Sequence, residues 1–151
     1  MPVIRLTTCI SAPIKACFDI SRDIDIHLES TKHTGETAIA GRTSGLIELH
    51  ESVTWRAKHL GIWQTLTSKV TEMREPYFFA DEMVAGAFRS FKHEHYFVED
   101  GQHTIITDVF TFESPIGIIG KLADKLFLTR YMTELLVKRN AVIKEYAELR
   151  C

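Results

Sequence analysis

Apolar and polar residues alternate along much of the first three quarters of the chain, which is the pattern of strands that bury one face. Seven segments carry this period and predict strands, at Val3–Ser11, Thr34–Arg42, Glu48–Leu60, Ile62–Met73, Tyr77–Ala85, Phe91–Val98 and Thr104–Glu113. Short segments with turn-forming residues separate the later strands, at Gly61, Glu75-Pro76, Gly86–Arg89 and Glu99–Gly101. Connections this short favour antiparallel hairpins.

Three segments predict helices. Pro13 suits the first turn of a short helix over Ile14–Ser21, and a second short helix over Asp23–Thr31 begins with acids that favour its N-terminus. The segment Ile118–Leu149 reads as one amphipathic helix, on the order of 45 Å long. Its apolar stripe consists of Ile119, Leu122, Leu126, Phe127, Tyr131, Leu135, Ile143 and Tyr146.

Strands followed by one long helix indicate an α+β fold rather than a doubly wound parallel sheet. We expect a single domain over residues 1–151, with a curved antiparallel sheet of six to seven strands around the C-terminal helix and two short helices after strand 1. One sheet curved around one helix rarely fills the space between them. The architecture therefore predicts an internal cavity, and the sequence indicates binding before it indicates chemistry.

Charge and hydropathy exclude some classes of partner. The chain has 151 residues and a formal net charge of −2, and it lacks the dense Lys/Arg runs that follow phosphates, so nucleic acid is not expected as a partner. No apolar stretch reaches the roughly 18 to 20 residues of a membrane span, so we expect no stable membrane insertion. The N-terminus has no apolar core of signal-peptide length.

The cysteines favour a reducing compartment. Cys9, Cys17 and Cys151 form an odd set without metal-like spacing. We expect Cys9 and Cys17 to pack as small hydrophobic residues and the protein to be cytoplasmic.

Several segments carry a family resemblance, and they are Ile10–Pro13, Val53–Ala57, Phe79–Met83 with Gly86–Phe88, and Asp108–Phe112 before Ser114–Gly117. The chain resembles the START and Bet v 1-like (SRPBCC) superfamily, in particular its polyketide cyclase/dehydrase branch with coenzyme-Q-binding relatives. The resemblance spans nearly the whole chain and implies a helix-grip fold that binds hydrophobic molecules. It does not imply one activity, because the superfamily includes carriers, cyclases, hydrolases and hormone sensors. It also argues against a metal, and we expect no cofactor.

The alternation predicts which side chains face the helix. The inward sets are Ile106, Asp108, Phe110 and Phe112; Phe91, His93, His95 and Phe97; Tyr77, Phe79, Asp81 and Met83; Val53, Trp55, Ala57 and His59; and Trp63, Thr65 and Thr67. The predicted cavity is thus walled by aromatic residues and Met, with a few polar groups among them.

Those polar groups, Asp81, His93, His95 and Asp108, are the candidate catalytic residues. In one interpretation they form a hydrogen-bonded network that only shapes the pocket. In a second, one histidine acts as a general acid or base that an aspartate orients. In a third interpretation, two histidines and a carboxylate bind a metal. The resemblance argues against that interpretation, and no metal is predicted.

The candidate ligand contacts are the aromatic residues and Met that face the cavity or its mouth, namely Trp55, Trp63, Phe79, Met83, Phe88, Phe110, Phe127 and Tyr131. Phe88 is a candidate gate, because it follows Gly86 in a bend. Other residues are expected to be solvated and outside the site: Lys121, Asp124, Lys125, Glu134, Lys138, Arg139, His27, His33, His50 and His103.

The leading hypothesis is a carrier or sensor that binds a mostly apolar small molecule between sheet and helix. The alternative is a cofactor-independent cyclase or dehydratase that uses the His/Asp groups in the same cavity. A module whose groove takes an apolar segment of a protein partner is a third class. The sequence leaves the ligand and the oligomeric state open.

Overall fold

The computed structural model describes residues 1–113 and 127–149. Within them, seven strands form one antiparallel sheet with the order β1-β7-β6-β5-β4-β3-β2. The strands are β1 (Val3–Ile10), β2 (Thr37–Gly41), β3 (Ser52–His59), β4 (Ile62–Arg74), β5 (Phe78–Ala85), β6 (Ser90–Asp100) and β7 (His103–Glu113). The predicted α+β helix-grip fold is confirmed.

Three α-helices accompany the sheet in the described residues, α1 (Ile14–Ser21), α2 (Ile24–Ser30) and α3 (Thr129–Leu149), and a single 3-10 turn, Lys32–Thr34, follows α2. Pro13 precedes α1, and the Asp23 carboxylate accepts hydrogen bonds from the backbone N–H groups of Asp25 and Ile26 at the start of α2. This side-chain cap fixes where α2 begins. None of these helices is long and apolar enough to cross a membrane.

The predicted C-terminal helix is confirmed over the 21 residues of α3. Its expected first part, with the stripe positions Ile119, Leu122 and Leu126, lies outside the described residues. The same holds for the expected solvated residues Lys121, Asp124 and Lys125, for the turn Ser114–Gly117 and for Cys151.

Irregular pairing curves the sheet around α3. The register shifts between Ala38 and Ala40 in β2, and at Thr67/Ser68 and Val70/Glu72 along β4. An irregularity of this kind bends a strand and increases its local twist. The shifts therefore lie in the half of the sheet that contains β2, β3 and β4.

A compact aromatic cluster closes one end of the structure. Phe18 of α1 is fully buried, and its ring meets Phe79 at 5.5 Å and Phe97 at 5.3 Å between centroids. Ile143 and Ala147 from the last turns of α3 belong to the same cluster. The C-terminal half of α3 is thus anchored, and this anchoring sets the position of its N-terminal half over the sheet.

Two sequence-based expectations outside the cavity were wrong. Tyr77 was expected to face inward but is exposed, because it lies in the turn before β5, where strand parity does not apply. Cys9 was expected to be buried but is exposed, because β1 turns Ile4 and Ile10 toward the core and so presents Cys9 on the other face. Cys17 is buried as expected.

We expect Phe18→Ala to lower the free energy of unfolding by about 3–5 kcal/mol, because it leaves an unfilled space in a closed cluster. Val98→Ala is the control, since Val98 is exposed and should change that free energy by less than about 0.5 kcal/mol. Urea denaturation measures both. Equal losses in the two variants would contradict the assignment of this cluster as the closed end.

Candidate functional site

A cavity of about 390 Å³ lies between the sheet and α3. Ligand-binding cavities usually measure roughly 300–1,000 Å³, so the space is large enough for a small organic molecule. The inward residues of β3 and β4 form much of its wall, since Val53, Trp55, Ala57, Leu66 and Val70 all line it.

The N-terminal half of α3 covers the cavity from the other side. Tyr131, Met132, Leu135 and Leu136 line the space at helical spacing, so one face of α3 is presented to the sheet. Most of the wall is apolar, but two separate groups of polar side chains interrupt it.

The first group lies at the centre of the sheet, where register brings four predicted residues together. Asp81 is opposite His93, and His95 is opposite Asp108, so each pair shares the inner face. His93 Nε2 lies 2.9 Å from Asp108 Oδ1, and His95 Nε2 lies 2.9 Å from Asp81 Oδ1. The two imidazole rings stack with centroids 3.8 Å apart. We call Asp81, His93, His95 and Asp108, together with Arg139 and Asn140 of α3, the central cluster.

Arg139 was expected on the solvated face of the helix, and that prediction is wrong. It is only 8% exposed and donates hydrogen bonds to the Ser21 carbonyl at 3.1 Å and to Asn140 Oδ1 at 3.0 Å. Its Nη1 lies 3.7 Å from Asp108 Oδ1. Asn140 Nδ2 donates to Asp108 Oδ2 at 2.8 Å. The guanidinium and the amide thus join the helix to the carboxylate in the sheet.

Ionised carboxylates dominate the electrostatics of the central cluster. Burial alone would raise the pKa of Asp108, but the hydrogen bond from His93 and the contact with His95 hold it well below its usual range. Burial likewise opposes the charge on Asp81, and its hydrogen bond to His95 outweighs this and lowers its pKa. Both aspartates are therefore acceptors.

The pKa values of the two histidines shift in opposite directions. Burial, reinforced by the positive charge of His95, lowers the pKa of His93 to about 4. Burial also disfavours charge on His95, but its contacts with Asp108 and Asp81 outweigh that effect and raise its pKa. His95 Nδ1 lies 3.0 Å from Asp108 Oδ1 in a poorly aligned contact, which acts through charge attraction rather than through a hydrogen bond.

These charges define the tautomer of His93. Because Asp108 is an ionised acceptor, neutral His93 carries its proton on Nε2 and donates it to that carboxylate. Its Nδ1 then bears a lone pair and has no hydrogen-bond partner among the described residues. Since His93 lines the cavity, this nitrogen can accept a proton or a hydrogen bond from a molecule inside it.

The second polar group lies where β3 ends and α3 begins. His59 Nδ1 and the Tyr131 hydroxyl are 2.7 Å apart. Nearby, the Glu36 carboxylate contacts His27 Nε2 at 2.6 Å and accepts a hydrogen bond from Thr31 at 2.8 Å. All five residues line the cavity. Burial lowers the pKa of His59 despite the opposing charge of Glu36, so the imidazole favours its neutral form.

Most of the candidate ligand contacts lie on the wall. Trp55, Phe79, Phe88, Phe110 and Tyr131 line the cavity, as do Asp81, His93 and His95. Asp108, which is 1% exposed, lies behind the histidines and reaches the cavity only through them. Met83 is not on the wall and packs instead beside the cluster of Ile4 and Phe112.

Trp63 and Phe127 do not line the cavity, so the expected inward orientation of Trp63 is wrong. Trp63 is 48% exposed, and the Arg56 guanidinium lies 4.1 Å from the centre of its ring. In the β3–β4 hairpin Trp55 is opposite Leu66, which gives the inner face of β4 to Leu66 and the outer face to Trp63 and Thr67. Thr65, from the same predicted inward set, is exposed but borders the cavity. Phe127 is 54% exposed.

Sequence reasoning missed Glu36, His27 and Arg139. It placed His59 on the inner face of β3, where it lines the cavity, but did not count it among the polar groups of the site. His27 was expected outside the site but stacks on Trp55 at 4.1 Å between ring centroids. One signal for Arg139 was available in the sequence, because it lies four residues from both Leu135 and Ile143 of the predicted apolar stripe. No comparable signal in the sequence brings Glu36, before β2, to His27 on α2.

Asp81, His93 and His95 also have the composition of a cation site, with one potential ligand atom each, all within 4.8 Å of one another. A metal shared by Asp81 and His95 would replace the hydrogen bond between them, whereas His93 could ligate through Nδ1 and keep its hydrogen bond to Asp108. The positive charge of Arg139 beside Asp108 already compensates part of the negative charge that would attract a cation. The geometry therefore favours a hydrogen-bonded network over a metal centre.

Several solved structures share this fold. The protein TTHA0849 from Thermus thermophilus has a TM-score of 0.77 and 20% identity over 95% of each chain. A START superfamily protein from Mycobacterium smegmatis has a TM-score of 0.73 and 14% identity over 99% of each chain. The Zhui aromatase/cyclase from a Streptomyces species has a TM-score of 0.76 and 14% identity, and the match covers 99% of this chain and 94% of that one.

The chain therefore has the helix-grip fold of the START and Bet v 1-like (SRPBCC) proteins, as the resemblance implied. Identities this low establish the fold rather than an activity. No family model and no curated protein matches the sequence.

We expect His93 to make stability depend on pH. Its pKa falls from an ordinary 6.5 to about 4 on folding, so the folded protein binds fewer protons between these values. Stability contributed by neutral His93 is therefore lost as the pH falls from 6.5 through 4, by up to roughly 3 kcal/mol. In His93→Gln this part of the loss of stability should be absent. His95 has the opposite effect, because its pKa is raised: the stability it contributes is lost as the pH rises above 6.5.

Urea denaturation of the wild type and His93→Gln between pH 4 and 7 measures this difference. His103→Gln is the control, because His103 is exposed at the start of β7. A constant difference in unfolding free energy between wild type and His93→Gln across the range would contradict the proposed protonation state.

Proposed function

We propose that this protein binds a mostly apolar small molecule in the cavity, with a polar group of the ligand at the central cluster. The observation that carries the proposal is the apolar space of about 390 Å³ between sheet and α3. Burying apolar ligand surface there releases about 25 cal/mol per Å². The shared fold with a START superfamily protein supports the same class of function.

The central cluster supports a preference for uncharged ligands. Its carboxylates, Asp81 and Asp108, are compensated by Arg139 and by His95, whose pKa is raised. A charged ligand group would leave this balance uncompensated in a buried place, which is costly. His93 Nδ1 instead offers one acceptor, which suits the O–H of an alcohol, a phenol or an enol.

Proton-transfer catalysis is the second candidate, and the free lone pair on His93 Nδ1 favours it. A base held by Asp108 against an apolar cavity is the arrangement required for abstracting a proton from a bound carbon acid. The fold is also found in an aromatase/cyclase. However, a pKa of about 4 makes His93 a weak base near neutral pH, and for this reason binding ranks first.

We expect Ala57→Phe to fill part of the cavity and to weaken binding of the apolar fluorescent probe N-phenyl-1-naphthylamine about tenfold or more. Ala57 is buried on the inner face of β3 and lines the space. Because the added ring enters a cavity rather than a packed core, the free energy of unfolding should not fall. Fluorescence titration and urea denaturation give the two values.

Lys58→Phe is the matched control, since it adds an aromatic side chain to the outer face of the same strand. Unchanged probe affinity in Ala57→Phe, or a loss of stability of roughly 1–3 kcal/mol from overpacking, would contradict an open binding cavity. Native mass spectrometry of the protein from its own host, with Ala57→Phe beside it, then identifies a ligand that only the wild type retains.

For catalysis, the probe is 5-nitrobenzisoxazole. His93 Nδ1 would take the proton on carbon, the ring N–O bond would break, and 2-cyano-4-nitrophenolate would form without any co-reactant. We expect His93→Gln to reduce the rate about tenfold or more, and His103→Gln to leave it unchanged. Since the pKa of His93 is about 4, the wild-type rate should rise through pH 4 and level off above it. Equal rates in the wild type and His93→Gln would remove this candidate.

A further inference from the structure

The two polar groups of the cavity wall lie at different levels along α3. Arg139 belongs to the central cluster, and Tyr131 bonds to His59 at the end of β3. These helix positions are eight residues apart along α3, which corresponds to roughly 12 Å of helix rise. Met132, Leu135 and Leu136 fill the interval with apolar surface on the cavity side.

The strands show the same separation. His59 is the last residue of β3, at the hairpin to β4, whereas Asp81 is opposite Val70 near the other end of β4. Between these levels the inner face presents Trp55 and Leu66. A molecule that touches both polar groups therefore has to be elongated, with an apolar middle.

The His59–Tyr131 pair offers a ligand one donor and one acceptor in either arrangement of its proton. If Tyr131 donates to Nδ1, then His59 Nε2–H is a donor and the phenol oxygen keeps an acceptor lone pair. If His59 Nδ1–H donates instead, the Tyr131 hydroxyl is the donor and His59 Nε2 the acceptor. A hydroxyl group, which also both donates and accepts, complements either arrangement.

We propose that the His59–Tyr131 pair is a second recognition point and that the ligand is an elongated, uncharged molecule with a hydroxyl group at each end. This inference rests on the proposed binding function and specifies its ligand class. One hydroxyl donates to His93 Nδ1, and the other exchanges hydrogen bonds with the His59–Tyr131 pair. The simplest competing role for that pair is a structural link that holds α3 to β3 and makes no contact with the ligand.

The test uses three rigid probes of one shape: trans-stilbene, 4-hydroxystilbene and 4,4′-dihydroxystilbene. We expect the wild type to bind 4,4′-dihydroxystilbene about fivefold more tightly than 4-hydroxystilbene, because the second hydroxyl gains one hydrogen bond. In Tyr131→Phe this ratio should fall to about two or less, because a single anchoring point remains and the second hydroxyl adds only the statistical factor of two equivalent orientations. Displacement of N-phenyl-1-naphthylamine gives the affinities.

Tyr146→Phe is the matched control, because Tyr146 lies on the same helix but packs beside the closed aromatic cluster. It should retain the fivefold ratio. His59→Gln should behave as Tyr131→Phe does, and thermal denaturation of each variant shows whether α3 remains in place.

The outcomes separate this inference from the proposed function. Failure of all three probes to bind would overturn both. Tighter binding of 4-hydroxystilbene than of trans-stilbene, with no further gain from the second hydroxyl, would overturn only the second recognition point. No gain from either hydroxyl would contradict the polar contact at the central cluster as well. Equal loss of affinity for all probes in Tyr131→Phe, with the fivefold ratio retained, would assign the pair to the structural link and likewise overturn it.

Discussion

The buried carboxylate of Asp108 connects the parts of this structure that would otherwise be independent. It lies in β7, accepts hydrogen bonds from His93 of β6 and Asn140 of α3, and attracts His95 and Arg139. An ionised carboxylate in this place would cost several kcal/mol without partners, so sheet and helix are stabilised in one relative position. The same charge fixes the tautomer of His93 and favours the charged form of His95. Asp108 thus governs the cavity chemistry without facing the cavity.

The two halves of α3 have different roles, and the cavity follows from that difference. Its C-terminal half packs Ile143 and Ala147 into the cluster around Phe18, where aromatic rings fill the space. Its N-terminal half presents Leu135 and Tyr131 to the cavity. Unfilled volume forfeits dispersion contacts, so a cavity of this size costs stability that the closed end has to offset. A fold that retains such a space without a packing benefit is consistent with selection for an occupant.

Strand alternation predicted much of the site, because the central strands pair regularly and bury one face. His93, His95 and Asp108 were found this way, since β5, β6 and β7 keep their register through the cluster. Trp63 was assigned to the wrong face, because its face depends on how β3 pairs with β4, and alternation within one strand does not contain that register.

Arg139 shows a different limit of prediction from the sequence. Its residue type argued for solvent, but burial depends on a partner, and the partner is more than thirty residues away in β7. Residue type is a poor guide wherever a charge is compensated across the fold. The contact between Glu36 and His27 depends in the same way on tertiary structure, because it forms only when α2 is docked beside β2.

The central cluster also constrains how binding and catalysis are related in this cavity. His95 stacks on His93 at 3.8 Å, and its positive charge helps to keep His93 neutral. That arrangement provides a permanent hydrogen-bond acceptor and at the same time weakens His93 as a base. A catalytic relative would need a higher pKa at this position, and a neutral residue in place of His95 would remove one of the two causes that lower it, the larger one being burial. As it stands, the electrostatics of this chain favour recognition of an uncharged polar group over transfer of its proton.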